Sequence, residues 1–143
     1  MKKDDNKSAH IIYVGAKPDF KNNHAGGQST ASFGLLKYAG EHSIPISVID
    51  SAQESFPMPT IWQRVGRALS RMMQLLFLLI IKKNVRVLIF SSSGFSFIEK
   101  SMMCVLCYVF RTPSVLIVRS GHFIDEVANS KSRRRLLYSY LLK

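Results

Sequence analysis

The chain has 143 residues, which suits one domain and excludes two full ones. Its 20 Lys and Arg residues outnumber 9 Asp and Glu residues, for a formal net charge of +11, and apolar residues make up 47%, which excludes a disordered chain. The longest apolar runs, residues 102–110 and 75–81, are too short to span a membrane, and the N-terminus lacks the apolar segment of a signal peptide, so we expect a cytoplasmic protein.

Strand-like and helix-like segments alternate along the first half of the chain. Residues 11–14 are β-branched and aromatic and predict a first strand, and a long polar loop, residues 16–27, separates it from a predicted helix over residues 29–40. Residues 46–49 predict a second strand, which ends at Asp50. A loop with two prolines follows.

A long amphipathic helix is predicted over residues 61–83. One broad face is apolar, and the arginines lie on a narrow stripe away from it, so we expect the apolar face to cover a sheet and the stripe to face solvent. The alternative is that this helix also lies on an anionic membrane surface, with Trp62 near the interface. The apolar face consists of Trp62, Val65, Leu69, Met72, Met73 and Leu76, and the stripe of Arg64, Arg67 and Arg71.

Two further strands and a helix complete the pattern. Residues 85–90 and 114–118 predict the third and fourth strands. Between them, Ser96 and Glu99 match a capping box, and the helix that they begin is expected to end near Arg111. Its C-x-x-C pair lies inside an apolar stretch, which predicts packing and not a redox or metal site.

Strands separated by helices of this length predict an α/β fold, a Rossmann-like parallel sheet with helices on both faces. Ligands bind outside the carboxyl ends of the strands in such sheets. Four segments rich in Gly, Ser or charge are therefore expected to meet at one edge. They are residues 15–27, Asp50 with Ser51, residues 91–94 and residues 119–122.

Several residues at this edge are candidates for binding or catalysis. Gly26 and Gly27 precede a helix N-terminus, an arrangement that suits a diphosphate, although their spacing is neither that of a dinucleotide-binding loop nor that of a Walker loop. The alternative is an ordinary strand-to-helix loop. We expect Asp50 to cap a loop, and binding of the ribose hydroxyl groups of a nucleotide is the less favoured alternative. Arg119 could bind a carboxylate or phosphate and His122 could act as a general base, or both could simply be solvated.

Positive charge is concentrated in two stretches. Residues 55–98 contain no acidic residue, and residues 131–135 form a second basic run. Such asymmetry predicts a polyanionic partner, which could be a nucleic acid, an anionic membrane surface or a phosphorylated ligand. The alternative is a solvated basic face that maintains solubility.

Taken in order, these segments resemble the N-terminal, acceptor-side domain of retaining GT-B glycosyltransferases of family four. The resemblance extends over residues 11–125 and is carried by residues 10–15, 26–36, 46–50, 90–100 and 113–121. It implies transfer of a sugar from a nucleotide-sugar donor to a glycan or lipid-linked acceptor in polysaccharide biosynthesis. Such enzymes often work at the inner membrane face.

The resemblance also implies roles for particular residues. Family members often carry a histidine just past the fourth strand, where this chain has Arg119, with His122 three residues later, and these two are the catalytic candidates. No metal or cofactor is expected, because the nucleotide sugar is the substrate. The candidates for binding the donor phosphates and substrate are Gly26, Gly27, Gln28, Ser93, Gly94 and Glu99.

Enzymes of this family have a second Rossmann-like domain, which binds the nucleotide sugar through two glutamates and basic residues. We interpret residues 1–9 as a disordered tail and residues 10–143 as a partial first domain. The expectation is a truncated reading frame, a fragment or one half of a split enzyme, inactive alone. The alternative is a small basic module without catalysis that binds a nucleic acid or a membrane surface, the latter through Arg64, Arg67 and Arg71. The absence of RNP, helix-turn-helix and zinc patterns argues against nucleic acid.

Overall fold

A computed structural model describes residues 9–18, 27–52, 60–92 and 94–120. Strands and helices alternate through these ranges, so the predicted order of elements is confirmed. The ends agree with the sequence prediction to within about two residues. The elements are β1 (His10–Gly15), α1 (Gly27–Glu41), β2 (Ile46–Asp50), α2 (Ile61–Ile81), β3 (Val85–Ser91), α3 (Phe95–Val109) and β4 (Ser114–Val118).

The described strands form one parallel sheet in the order β2-β1-β3-β4. Tyr13 at the centre of β1 lies opposite Val48 of β2 and Leu88 of β3. Because β2 lies on one side of β1 and β3 on the other, the chain reverses its direction across the sheet at the β1–β3 boundary. In open α/β sheets this reversal marks the crevice where ligands bind, outside the carboxyl ends of the strands.

Helices flank the sheet, so the fold is Rossmann-like in its general architecture, as predicted. On one face, α2 and α3 pack against Ile12 and Val14 of β1 and against the inward side chains of β3. Tyr13 points to the opposite face, since neighbouring strand residues alternate, and there it meets Ser32 of α1. The helices contribute Leu75, Leu79, Met103 and Cys107 to the core.

The capping box belongs to a different helix from the one predicted. Thr60 accepts a hydrogen bond from the Gln63 amide at 3.4 Å, and the Gln63 side chain accepts one from the Thr60 amide at 3.0 Å, which completes a box at the start of α2. The predicted box of Ser96 and Glu99 is wrong. The N-cap of α3 is Gly94, two residues before Ser96, and its φ of 69° suits glycine. Glu99 forms an ion pair instead.

Left-handed residues turn the chain from each helix into the next strand. Ser43, Asn84 and Arg111 have φ values of 52°, 54° and 51°. Gly40 was expected to end α1, but the helix continues to Glu41 and Ser43 makes the turn, after which the Ile44 amide donates to the Ala39 carbonyl at 2.9 Å. A closing hydrogen bond of this kind satisfies a carbonyl at the helix end.

The orientation of α2 also differs from the prediction. Arg71 was expected in a solvent-facing stripe, yet it is buried on the same side of the helix as Leu75 and Leu79, which follow at intervals of four residues. Trp62 and Leu69, expected against the sheet, are 85% and 60% exposed. Arg71 is buried because its guanidinium forms an ion pair with Glu99 of α3 in the interior.

Candidate functional site

Hydrogen bonds join the carboxyl ends of β1 and β2. The Ser51 amide donates to the Gly15 carbonyl at 2.9 Å. One carboxylate oxygen of Asp50 accepts from the amides of Lys17 at 3.0 Å and Ala52 at 2.8 Å. This confirms the prediction that Asp50 caps a loop.

The carboxyl ends of β3 and β4 are joined in a similar way. The Arg119 amide donates to the Ser91 carbonyl at 2.8 Å, so strand-like pairing continues one residue past β4. The Ser91 hydroxyl donates to the Ser92 carbonyl at 2.8 Å. The backbone of Arg119 is therefore fixed at the sheet edge, while the residue as a whole is exposed.

An aromatic chain connects Arg119 to α1. Its guanidinium carbon lies 5.6 Å from the centre of the Phe90 ring, within cation–π range. Phe90 in turn meets Tyr13 edge to face, with ring centres 5.2 Å apart. The Tyr13 hydroxyl shares a hydrogen bond with the Ser32 hydroxyl of α1. These four side chains link the edge of β4 through β3 and β1 to α1.

The pKa of Tyr13 depends on burial and on the charges at this edge. Burial raises the pKa of Tyr13, and the hydrogen bond to Ser32 and the positive charge of Arg119 partly offset that increase. The negative charge of Asp50 acts in the same direction as burial. Tyr13 is therefore a neutral hydrogen-bonding group at neutral pH, and both Arg119 and Asp50 lie close enough to affect it.

Gly15 permits the close packing of this region. A Cβ atom at Gly15 would overlap the Tyr13 hydroxyl and the ring carbon that carries it. A glycine here is thus required by a close approach of backbone to side chain. The sequence showed Gly15 only as the end of a strand.

The predicted binding residues are placed as follows. Gly27 is the first residue of α1, so the helix begins at the second glycine of the pair, two residues earlier than predicted, and its N-terminus lies where an anion site would require it. Gly94 is the N-cap of α3. Only the backbone of Gln28 is described. Gly26, Ser93 and His122 lie outside the described residues.

Glu99 is buried and lies next to two cationic side chains. Arg71 Nε lies 2.9 Å from Glu99 Oε1 without hydrogen-bond alignment, and Arg71 Nη2 donates to Oε2 at 3.4 Å. Lys100 Nζ lies 3.3 Å from Oε1. Burial lowers the pKa of Lys100, and the neighbouring carboxylate partly offsets that decrease. Glu99 therefore holds two buried cations between α2 and α3.

The cysteine pair packs in the interior. Burial raises the pKa of Cys107 to about 12 and also raises that of Cys104. A raised thiol pKa opposes the thiolate that redox or metal chemistry needs, which supports the packing prediction. Among the described residues, no group of three or more His, Cys, Asp or Glu side chains could hold a metal ion.

Two features escaped the sequence analysis. The Tyr13–Phe90–Arg119 contacts depend on β1 and β3 being neighbours, which the sequence does not show. The burial of Arg71 had a local signal, because Arg71 shares a four-residue spacing with Leu75 and Leu79. Searched only over the described residues, the chain has no helix with both the length and the apolar content needed to cross a membrane.

Comparisons with protein-family models, curated proteins and solved structures found no match to this chain. The resemblance to glycosyltransferases consequently stays a prediction from sequence. What the structure adds is the parallel α/β sheet and the geometry of its carboxyl edge.

Proposed function

We propose that the chain binds the phosphates of a nucleotide sugar at the carboxyl edge of its sheet. It would thereby act as the acceptor-side half of a GT-B glycosyltransferase. The supporting observation is that the N-terminus of α1 and the Arg119 guanidinium belong to the same edge, connected through Tyr13 and Phe90.

The chemistry of this edge suits a diphosphate. The first turn of α1 has backbone N–H groups without helical partners and the positive end of the helix dipole. Arg119 adds a guanidinium that can bind two phosphate oxygens at once, and its contact with Phe90 limits the conformations that it must give up on binding. Gly27 at the helix start allows the phosphate to approach the backbone.

The resemblance sets an expectation for turnover. A GT-B active site lies in the cleft between two Rossmann-like domains, and the described residues form a single parallel sheet. The proposal therefore predicts weak binding of a nucleoside diphosphate by this chain alone. It predicts sugar transfer to a glycan or lipid-linked acceptor only when a second, donor-binding domain is present.

Nuclear magnetic resonance titration of the full chain with UDP, GDP and inorganic diphosphate tests the binding step. We expect the amide signals of Gly27, Ser92 and Arg119 to shift together. Arg119→Gln should weaken binding by about tenfold or more. Arg86→Gln is the matched control, because Arg86 is an exposed arginine near the start of β3, paired with Ile11 and far along the strand from Ser91.

Two results would count against the proposal. One is the absence of shifts at the carboxyl edge with all three probes. The other is an equal loss of binding in the Arg119 and Arg86 variants, which would indicate attraction to the overall positive charge without a site.

A further inference from the structure

The side of α2 that faces away from the sheet carries a regularly spaced apolar row, which we call the seam. Its positions follow one another at intervals of four, three, four, three and four residues. This is the 3.5-residue period of helices that pack lengthwise against another helix. Four of its side chains are between 57% and 85% exposed. The seam consists of Trp62, Gly66, Leu69, Met73, Leu76 and Ile80.

The seam cannot rotate into the core of its own chain. The opposite side of α2 is already occupied, since Leu75 and Leu79 belong to the core cluster and Arg71 pairs with Glu99. Turning the helix would break that ion pair and leave buried charges without a partner, which is strongly unfavourable. The seam therefore faces outward in the folded chain.

Gly66 is the seam position without a side chain. A Cβ atom there would meet open space, so the packing of the chain does not call for glycine. Glycine inside a helix costs about 1 kcal/mol relative to alanine. On a helix surface, however, it leaves a gap that a large side chain of a second helix can fill.

The seam itself is uncharged, and charge lies at one end of it. The three arginines of α2 lie at least about 140° round the helix from the centre of the seam. Lys82 and Lys83 follow the last turn. Two copies of α2 packed in the same direction would bring these lysines together. Packed in opposite directions, they would hold the lysine pairs about 30 Å apart, which is about three screening lengths in physiological salt.

The spacing of the seam reads the same in both directions. A two-fold axis level with residue 71 therefore places every seam position opposite another one, as a symmetric interface between identical surfaces requires. The gap at Gly66 then receives a leucine. The facing pairs are Leu69 with Met73, Gly66 with Leu76 and Trp62 with Ile80, the second residue of each pair belonging to the second copy.

The exposed area is also sufficient for a dimer. With Val65 and Phe77, which flank it, the seam exposes on the order of 700 Å² per copy, close to the roughly 800 Å² that each partner buries in a stable interface. We infer that α2 packs along the seam, antiparallel, against α2 of a second copy of this chain. Burial of apolar surface would drive the association, whereas the net charge of +11 on each copy opposes it.

Sedimentation equilibrium of the full chain tests the inference. Between about 1 and 100 μM we expect a monomer–dimer equilibrium that tightens as sodium chloride rises from about 0.1 to 0.5 M, because salt screens the repulsion. The double variant Leu69→Gln, Met73→Gln should dimerise at least about a hundredfold more weakly, since each change occurs twice in the dimer. The matched control is Val105→Gln, Val109→Gln, with the same spacing at exposed positions of α3, and it should leave dimerisation unchanged.

Two further variants separate the interface from an effect on folding. Gly66→Gln should raise the melting temperature of the monomer by a few degrees through helix propensity, yet weaken the dimer by about tenfold or more by filling the gap. Trp62→Cys and Ile80→Cys chains, mixed and oxidised, should form a disulfide with each other in preference to themselves, as the antiparallel direction requires.

Four results would overturn the inference. They are a monomer at every concentration, a dimer that the Leu69, Met73 double variant does not weaken, equal weakening by the α3 control, and association that rising salt abolishes, which would indicate bridging by a polyanion. A monomer that binds lipid vesicles through the seam would assign it to a lipid surface. The double variant should keep its UDP titration, so this test and the test of the proposed function can fail separately.

Discussion

The two sides of α2 depart from the usual distribution of polarity, because apolar side chains lie on both of them and a charged one is buried. The side that faces the sheet includes Arg71, held by Glu99, whereas the side that faces away includes Trp62 and Leu69 in contact with water. An amphipathic pattern establishes that a helix has two sides, but it does not decide which one packs. Which side packs against the sheet also depends on the residues of neighbouring elements. Here Glu99 of α3 provides the carboxylate that pairs with Arg71.

The largest expected effect comes from removing that carboxylate. Glu99→Gln leaves Arg71 and Lys100 buried without their counter-charge, so we expect the free energy of unfolding to fall by about 3–5 kcal/mol. Urea unfolding followed by circular dichroism measures it. Glu41→Gln is the control, because the Lys37–Glu41 pair is exposed with its atoms 3.9 Å apart, and its loss should cost less than about 0.5 kcal/mol. Similar costs for the two variants would contradict the burial of the cluster.

The same substitution on the two sides of α2 sharpens the comparison. Leu75→Ala removes a fully buried side chain of the core cluster and should cost about 2–5 kcal/mol. Leu69→Ala removes an exposed side chain on the other side of α2 and should change the free energy of unfolding by less than about 0.5 kcal/mol. Thermal unfolding of both variants provides the measurement, and a larger cost for Leu69→Ala would show that α2 packs the other way round.

Alanine substitutions at two glycines should change the free energy of unfolding in opposite directions. Gly15→Ala places a Cβ atom against the buried Tyr13 hydroxyl and should cost about 1–3 kcal/mol. Gly34→Ala lies within α1 with open space around it and should stabilise the chain by up to about 1 kcal/mol through helix propensity. Urea midpoints of the two variants give the signs. A stabilising Gly15→Ala would refute the packing of the Tyr13 side chain against Gly15.

The smallest effect is a dependence on pH. Burial lowers the pKa of Lys100 in the folded chain below its ordinary value of 10.5. Between these two pKa values the unfolded chain keeps a proton that the folded chain has lost, so stability rises with pH across this window and falls as the pH drops through the lower pKa. Lys100→Met should flatten the profile of unfolding free energy against pH. An unchanged profile would mean that Lys100 is not held in the interior.

Local signals predicted the elements and some of the site. Apolar runs located the strands of the sheet, and Asp50 could be assigned to a loop cap because its hydrogen bond to Ala52 spans only two residues. Arg119 could be placed at the carboxyl edge because it directly follows β4. Each of these inferences needs only neighbouring residues.

Contacts between distant elements could not be predicted. Arg71 and Glu99 are 28 residues apart. The four-residue spacing of Arg71 with Leu75 and Leu79 places it on their side of α2 but does not indicate which residue pairs with it. The Tyr13–Phe90 contact follows from the strand order, which composition and periodicity leave open. The capping box was misplaced for the same reason, since Glu99 matches the motif locally but is bound by another helix.

The fluorescence of Trp62 tests the orientation of α2 most directly, because it is the only tryptophan of the chain and lies exposed on the side of α2 that faces away from the sheet. At concentrations where the chain is monomeric, we predict the emission of a water-exposed indole, quenched by acrylamide about as readily as a free indole. A shielded, blue-shifted Trp62 in the monomer would contradict the outward orientation of the exposed apolar side of α2.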